Sequence, residues 1–274
     1  MTIKSILLHL TNDEKLSNRI DVALGLATTY GAHITGIYTI TPATPPTSFM
    51  GYIPPEYIER TRALENENAE IATAKLAEAA AKVDVPVTTL KEEGYALDIL
   101  NRHALVTDLV LVGQIDPDDD KSAQYQYLAD ELVVSCPQPV LIVPYAGKYQ
   151  RFGSRILVGW NNTREASHAL HDALPFLKNA DEVTLLSINP DADQTNENAA
   201  AIEYLKLHGI TAKMTVGHWK DVSVGDALLD SLVDLNADML VMGAYGHSRI
   251  REMILGGATQ EILGHMTAPI LFAH

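Results

Sequence analysis

The residues best placed to do chemistry in this chain are four glycines, Gly243, Gly246, Gly256 and Gly257, spread over the two ends of one loop. Gly243 ends the apolar run DMLVM, Gly246 follows after Ala-Tyr, and Gly256-Gly257 come after nine further residues, immediately before the periodic segment ATQEILGHM. A strand end, a loop and a helix start in that order direct free backbone N–H groups and the positive end of a helix dipole at one spot, which suits phosphate. The loop lacks the Lys-Ser/Thr pair of a P-loop. Arg249 and Arg251 lie within it as cations for a phosphate, or else as surface partners of Glu252, and His247 and Ser248 are further ligand neighbours. The alternative is that the glycines serve only a tight turn and a helix entry. A second group, Trp160-Asn161-Asn162, follows the strand ILVGW. Asn161 can hydrogen-bond a base or ribose there, or can cap the next helix with Asn162 and Thr163.

These residues need a scaffold, and the scaffold is written twice. ILLHL from Ile6 and ILVGW from Ile156 open two halves, and PVLIVPY from Pro139 and PILFAH from Pro269 close them. The first half reads as strand, a helix ending at Gly31, the strand HITGIYTI, a Pro-rich break over residues 42–55, a helix over 56–83, the strand VPVTTLKE, a helix over 96–104, the strand DLVLVGQ, a helix over 124–134 and the closing strand. Thr11-Asn12-Asp13 are placed to cap its first helix. The second half repeats the order more compactly, with helices predicted over 165–177, 196–207 and 226–235 and after Gly256. Short apolar strands alternating with helices predict mostly parallel sheets covered on both faces. The fold class is therefore α/β, as two tandem three-layer α/β/α domains, 1–146 and 154–274, each with a mostly parallel five-stranded sheet. The apolar closing strands would be edges in isolated units, and they are expected to meet inside the chain as a pseudo-dimer.

Composition narrows the function classes. The 274 residues are 47% apolar and 20% charged, as expected of a folded domain, and no run approaches the roughly 20 apolar residues of a membrane span. No segment resembles a signal peptide, so a cytoplasmic location is expected. The net charge of −15, of which −10 falls in residues 1–146, opposes nucleic acid and anionic membranes as partners. One cysteine, Cys136, gives neither a disulfide nor a structural metal site, and no histidine pair finds the third ligand that zinc requires. Metal ligands are therefore assigned to no residue.

The segment GAYGHSRIREMILGGAT with the ending TAPILFAH resembles the signature of the universal stress protein family, and the doubled arrangement resembles its tandem members. The resemblance implies an adenine nucleotide alpha hydrolase-like fold, a homodimer, and a stress-response or regulatory protein binding ATP, with or without Mg²⁺, in its second half. Nucleotide-binding members carry glycine, two residues, glycine, nine residues, glycine and then serine or threonine. Gly243, Gly246 and Gly256 match in register, while Gly257 stands where the hydroxyl residue is expected and Asn161 where such members tend to hold adenine with an aspartate. In the first half only Gly113 of the pattern survives, followed by Asp116, Asp118, Asp119 and Asp120, which implies a degenerate copy; a magnesium site is the competing reading. No catalytic residue is identified. A scaffold that binds no nucleotide and a weak ATP hydrolase are the alternative functions.

Overall fold

The computed structural model describes residues 2–42, 55–119, 121–190, 192–244 and 257–274. The first half contributes β1 (Ser5–Leu10), α1 (Leu16–Tyr30), β2 (His33–Ile40), α2 (Pro55–Ala81), β3 (Val87–Glu93), α3 (Ala96–Ala104), β4 (Leu109–Gly113), α4 (Leu128–Ser135) and β5 (Val140–Val143). The second contributes β6 (Arg155–Gly159), α5 (Arg164–Asp172), α6 (Leu174–Leu177), β7 (Glu182–Ile188), α7 (Ala192–Leu207), β8 (Ala212–Gly217), α8 (Val224–Asp234), β9 (Met239–Gly243), α9 (Gly257–His265) and β10 (Ile270–Ala273). Most of the Pro-rich stretch, residues 43–54, lies outside the described residues.

All ten strands join in one sheet of order β3-β2-β1-β4-β5-β10-β9-β6-β7-β8. This corrects the expectation of two separate five-stranded sheets. The cause is the pairing of the closing strands, β5 and β10, which run antiparallel with Ile270 opposite Ile142, Leu271 opposite Leu141 and Phe272 opposite Val140. Each is short, apolar and fully buried. Each therefore covers the row of backbone donors and acceptors that the other would expose as an edge. Every other pairing is parallel.

Alternating side chains send each strand into two cores, one on each face of the sheet. Ile6, Leu8 and Leu10 of β1 belong to the core that continues through α1, α2, α5, α6 and α7, while Leu7 belongs to the core on the other face, which continues through α3, α4, α8 and α9. Both cores run through both halves, so three layers are shared across the β5–β10 seam. Tyr30 strengthens the seam, since its hydroxyl donates to the Pro175 carbonyl at 3.2 Å and its ring meets Phe176 edge-on. Buried Gln114 also crosses it, donating Nε2–H to the Leu263 carbonyl at 2.8 Å.

The internal repeat reaches individual side chains. Asp108, just before β4, accepts from the backbone N–H groups of Lys4 and Ser5, and Asp238, just before β9, accepts from those of Gly153, Ser154 and Arg155. Asn12 donates to Asn68 at 2.7 Å, and Asn162 donates to Asn198 at 3.2 Å. These pairs fix the start of each central strand and the loop beyond its end, which are the parts that frame each crevice.

Candidate functional site

In a parallel sheet the crevice for ligands opens beyond the carboxyl ends of the strands at which the winding reverses. Here those strands are β1 and β4 in the first half, and β6 and β9 in the second. The two crevices have different contents.

In the second half, buried Ile156, Leu157 and Val158 anchor β6, and the chain leaves the sheet through Gly159 and Trp160. Asn162 turns the backbone with a φ of 55°, a left-handed value that asparagine tolerates. Thr163 is the N-cap of α5, its Oγ1 accepting from the Ala166 N–H at 3.3 Å. Asn161 Oδ1 accepts from the Thr163 hydroxyl at 2.8 Å and from the Thr163 N–H at 3.4 Å. Capping is thus the role of Thr163, with Asn161 behind it.

A cavity of about 380 Å³ opens at this point. Its walls include apolar Leu186, Ile188, Leu228 and Met242, and its rim includes Asn161, Thr163, Asn189 and Val224. That volume lies in the range of small-molecule sites. Asn189 donates one Nδ2–H to the Trp219 carbonyl and accepts from the Trp219 N–H. A second cavity of about 380 Å³ lies beyond Trp160, between α5 and α7, but it is not at the point where the strand order reverses.

Gly243 lines the first cavity at the end of β9, yet the atoms nearest to it belong to α5. A Cβ there would stand 2.4 Å from the Glu165 carbonyl carbon and 2.5 Å from the Ala166 nitrogen. Both are backbone atoms, so they cannot swing aside, and Gly243 is required for helix-to-strand packing before any ligand is considered. Gly257 opens α9, and among the described residues no atom beyond its own helix backbone lies within 4 Å of the place its Cβ would occupy. The remaining loop positions, Gly246, His247, Arg249 and Gly256, lie outside the described residues, as do Ser248 and Arg251.

The first-half crevice is filled by side chains and retains only about 20 Å³. Arg19 reaches into it from α1, placing Cδ and Nη1 2.8 Å from where a Cβ on Gly113 would be. Its guanidinium donates to Asp13, with Nη2 2.7 Å from Oδ2 and Nη1 3.1 Å from Oδ1, and also to Thr11, whose hydroxyl donates to Asp13. Arg19 is 4% exposed and Asp13 8%. Burial alone would raise the Asp13 carboxyl, but the Arg19 charge and the hydrogen bonds from Arg19, Thr11 and the Lys15 N–H hold it below its usual range. His9 lies beneath, with Nε2 3.2 Å from Thr39 Oγ1 and its ring edge-on to Tyr125 at 4.8 Å. Burial, and then the nearby Arg19 charge, lower its pKa to about 3, so it is neutral at pH 7. Thr11 and Asp13 thus hold Arg19 instead of capping α1, whose N-cap is Lys15, with no side-chain hydrogen bond.

His9, Thr11 and Asp13 with Arg19 and Tyr125 were not singled out as a group by the sequence. The available signal was Arg19, which stands on the apolar stripe Leu16, Arg19, Ile20, Ala23 of α1, where an unpaired charge would be prohibitively costly. The downstream carboxylates are engaged locally: Asp116 pairs with Lys15 at 3.4 Å and accepts from the Asp118 N–H, and Asp119 accepts from the N–H groups of Glu14 and Lys121. Asp120 lies outside the described residues. Among the described residues, no three His, Cys, Asp or Glu side chains form a group that could hold a metal ion, and no helix is long and apolar enough to cross a membrane. Cys136 is buried, and burial raises its thiol pKa, so it is a packing residue.

Comparison with known proteins agrees with this architecture. The sequence profile described as the universal stress protein family matches residues 154–274. A universal stress protein of Synechocystis sp. is 26% identical, over 78% of this chain and 75% of its own length. Among solved structures, a universal stress protein from Archaeoglobus fulgidus superposes with a TM-score of 0.75 at 16% identity, covering 98% of this chain and 97% of that one. A functionally unknown protein from Pseudomonas aeruginosa superposes with a TM-score of 0.61 at 17% identity, covering 99% and 92%. The structural likenesses speak to the fold, and the sequence matches to the lineage. The profile match places the universal stress protein pattern in residues 154–274, and most of the chain is similar to the Synechocystis universal stress protein.

Proposed function

We propose that this chain is a stress-response or regulatory protein that binds one nucleoside triphosphate in its second-half crevice, ATP being the one implied by the family resemblance. The observation that carries this reading is the contrast between the crevices: about 380 Å³ of open cavity beyond β6 and β9, against about 20 Å³ beyond β1 and β4. In this reading residues 1–146 form a structural domain and residues 154–274 the binding domain. The base and ribose occupy the apolar cavity. The triphosphate extends past Gly243 toward the loop carrying Gly246, His247, Arg249 and Gly256, and toward the first turn of α9 at Gly257. Binding through backbone N–H groups needs no hydroxyl at position 257, although a hydrogen bond is forgone there. Strong catalysis is not part of the proposal, because among the described residues no side chains of the cavity rim form a nucleophile and general-base pair.

Val224 provides the test. It lines the cavity at the first residue of α8 and is 48% exposed, so a larger side chain can enter the cavity without disturbing the core. Val224→Trp is expected to weaken ATP binding by about tenfold or more in calorimetric titration of the full chain, with little change in melting temperature. Unchanged affinity in a folded Val224→Trp protein would place the nucleotide elsewhere.

A further inference from the structure

A further cavity lies on the seam and is built by both halves. It holds about 250 Å³ between α4 and α9, beyond the carboxyl ends of β4 and β5. One wall is fixed by Gln114, whose amide is engaged at both ends: Nε2 donates to the Leu263 carbonyl at 2.8 Å, and Oε1 accepts from the Tyr145 N–H at 3.2 Å. Ile115 and Ala129 of the first half and Leu263 of the second supply apolar surface.

Among the described residues that line this cavity, Asp130 alone carries a charge. It stands in the first turn of α4, half-buried, and its Oδ1 is closed off from solvent with no hydrogen-bond partner among the described residues. A carboxylate in the first turn of a helix is favoured by the helix dipole. That favour is outweighed here: burial, and then the neighbouring Glu131 charge, raise the Asp130 carboxyl above its usual range, and only a hydrogen bond from its own N–H opposes them. No cation of the protein enters this balance, so the carboxylate is desolvated without a counter-charge. Gln260 of α9 holds the place of Asp130 in the second copy, 130 residues on, and lines the same cavity. Gln126 and Gln260 are both exposed at its edge, and each amide can turn its oxygen inward.

We propose that this seam cavity binds a small primary ammonium compound, with Asp130 as its counter-charge and the amide oxygens of Gln126 and Gln260 as neutral acceptors. An ammonium group carries three N–H donors and no acceptor, which suits one carboxylate and two amide oxygens. Ile115, Ala129 and Leu263 take a short alkyl chain. The net charge of −15 draws a cation toward the cavity and turns an anion away. A bare metal ion fits poorly, because among the described residues no three His, Cys, Asp or Glu side chains stand together. A quaternary ammonium has the charge but no N–H to offer the amides. Bound there, the ligand ties α4 of the first half to α9 of the second. The site lies apart from the crevice beyond β6 and β9 and does not rest on the nucleotide reading.

The experiment is calorimetric titration of the full chain at pH 7 with n-butylammonium as the probe. Tetramethylammonium, a charge without N–H groups, and 1-butanol, a chain without charge, are the controls. Butylammonium is expected to bind with a dissociation constant of about 1 mM or below, and both controls about tenfold more weakly or worse. Asp130→Asn keeps the shape and removes the charge, so it should weaken butylammonium binding by about tenfold or more. Because it also removes an uncompensated carboxylate, its melting temperature should be unchanged or raised, which separates a lost contact from a lost fold. Gln260→Leu, on the other side of the seam, should weaken binding by about threefold. Glu131→Gln removes the same charge from an exposed neighbour that does not line the cavity, and should change affinity by less than about twofold. Absence of butylammonium binding at millimolar concentration, tetramethylammonium binding as tightly, or equal weakening by Glu131→Gln and Asp130→Asn would each overturn the proposal.

Discussion

Asp13→Ala is expected to lower the unfolding free energy of this protein by about 3–5 kcal/mol, measured as a shift of the urea midpoint at pH 7. The reason is what it leaves behind. Arg19 would remain in the first-half crevice, buried to all but 4%, with its guanidinium deprived of both carboxylate contacts and reduced to Thr11. A charge without a counter-charge in such a place is far more costly than the pair, because the pair's attraction has already offset much of its own desolvation. The double variant Asp13→Ala/Arg19→Met removes the stranded charge and fills part of the space apolarly, so it should recover most of the loss. If Asp13→Ala proved neutral, or the double variant were no better than the single one, the side-chain plug described for this crevice would be wrong.

The second large effect is one of pH. His9 has its pKa lowered from 6.5 to about 3, mainly by burial and then by Arg19, with Asp13 opposing. For a histidine depressed in the folded state, the unfolded chain takes up a proton that the native one refuses. The stability associated with neutral His9 is therefore full above pH 6.5 and is lost as the pH falls from there toward 3, at up to about 1.4 kcal/mol per pH unit. Asp13 acts in a lower window: its depressed carboxyl stabilises the fold above its unfolded value of 3.8 and loses that contribution only as the pH falls below it. The His9 contribution to the unfolding free energy, from urea titrations between pH 7 and pH 4.5, should accordingly decline by about 2–3 kcal/mol in wild type. In His9→Gln, which can still hydrogen-bond Thr39, that part of the slope should vanish. An equal slope in both proteins would mean that His9 is not held neutral.

These two residues show where the sequence was legible and where it was not. Periodicity and punctuation placed local elements well: α3 occupies residues 96–104 as read from its apolar spacing, and α9 begins directly after Gly256. The helix predicted over 165–177 is interrupted at Ala173, because Pro175 cannot donate an N–H and its ring crowds the preceding turn, so α5 ends and α6 begins there. Long-range side-chain pairs were hidden. Asn12 meets Asn68 and Asp108 meets Lys4 and Ser5 only after the sheet is assembled, and nothing in local composition marks them as partners. The meeting of β5 and β10 followed from their apolar edges, but its consequence, one sheet in place of two, required the register to be seen.

At the site, sequence spacing singled out Gly243 and Asn161 as residues of interest, while contacts decided what each does. Gly243 makes room for the backbone of α5. A loss of ligand binding in Gly243→Ala would therefore report damage to packing as readily as damage to a phosphate cradle. Asn161 turns its oxygen inward to Thr163 and keeps its donor. The first-half copy reads as degenerate in sequence because only Gly113 of the glycine pattern is kept; in space it is closed because Arg19 stands where a ligand would.

The most direct measurement is the number of nucleotides bound per chain at saturation, by equilibrium dialysis of the stripped full-length protein against millimolar ATP. One open crevice and one filled crevice require a stoichiometry of one. A value of zero would contradict nucleotide binding in the second half, and a value of two would contradict the closure of the first.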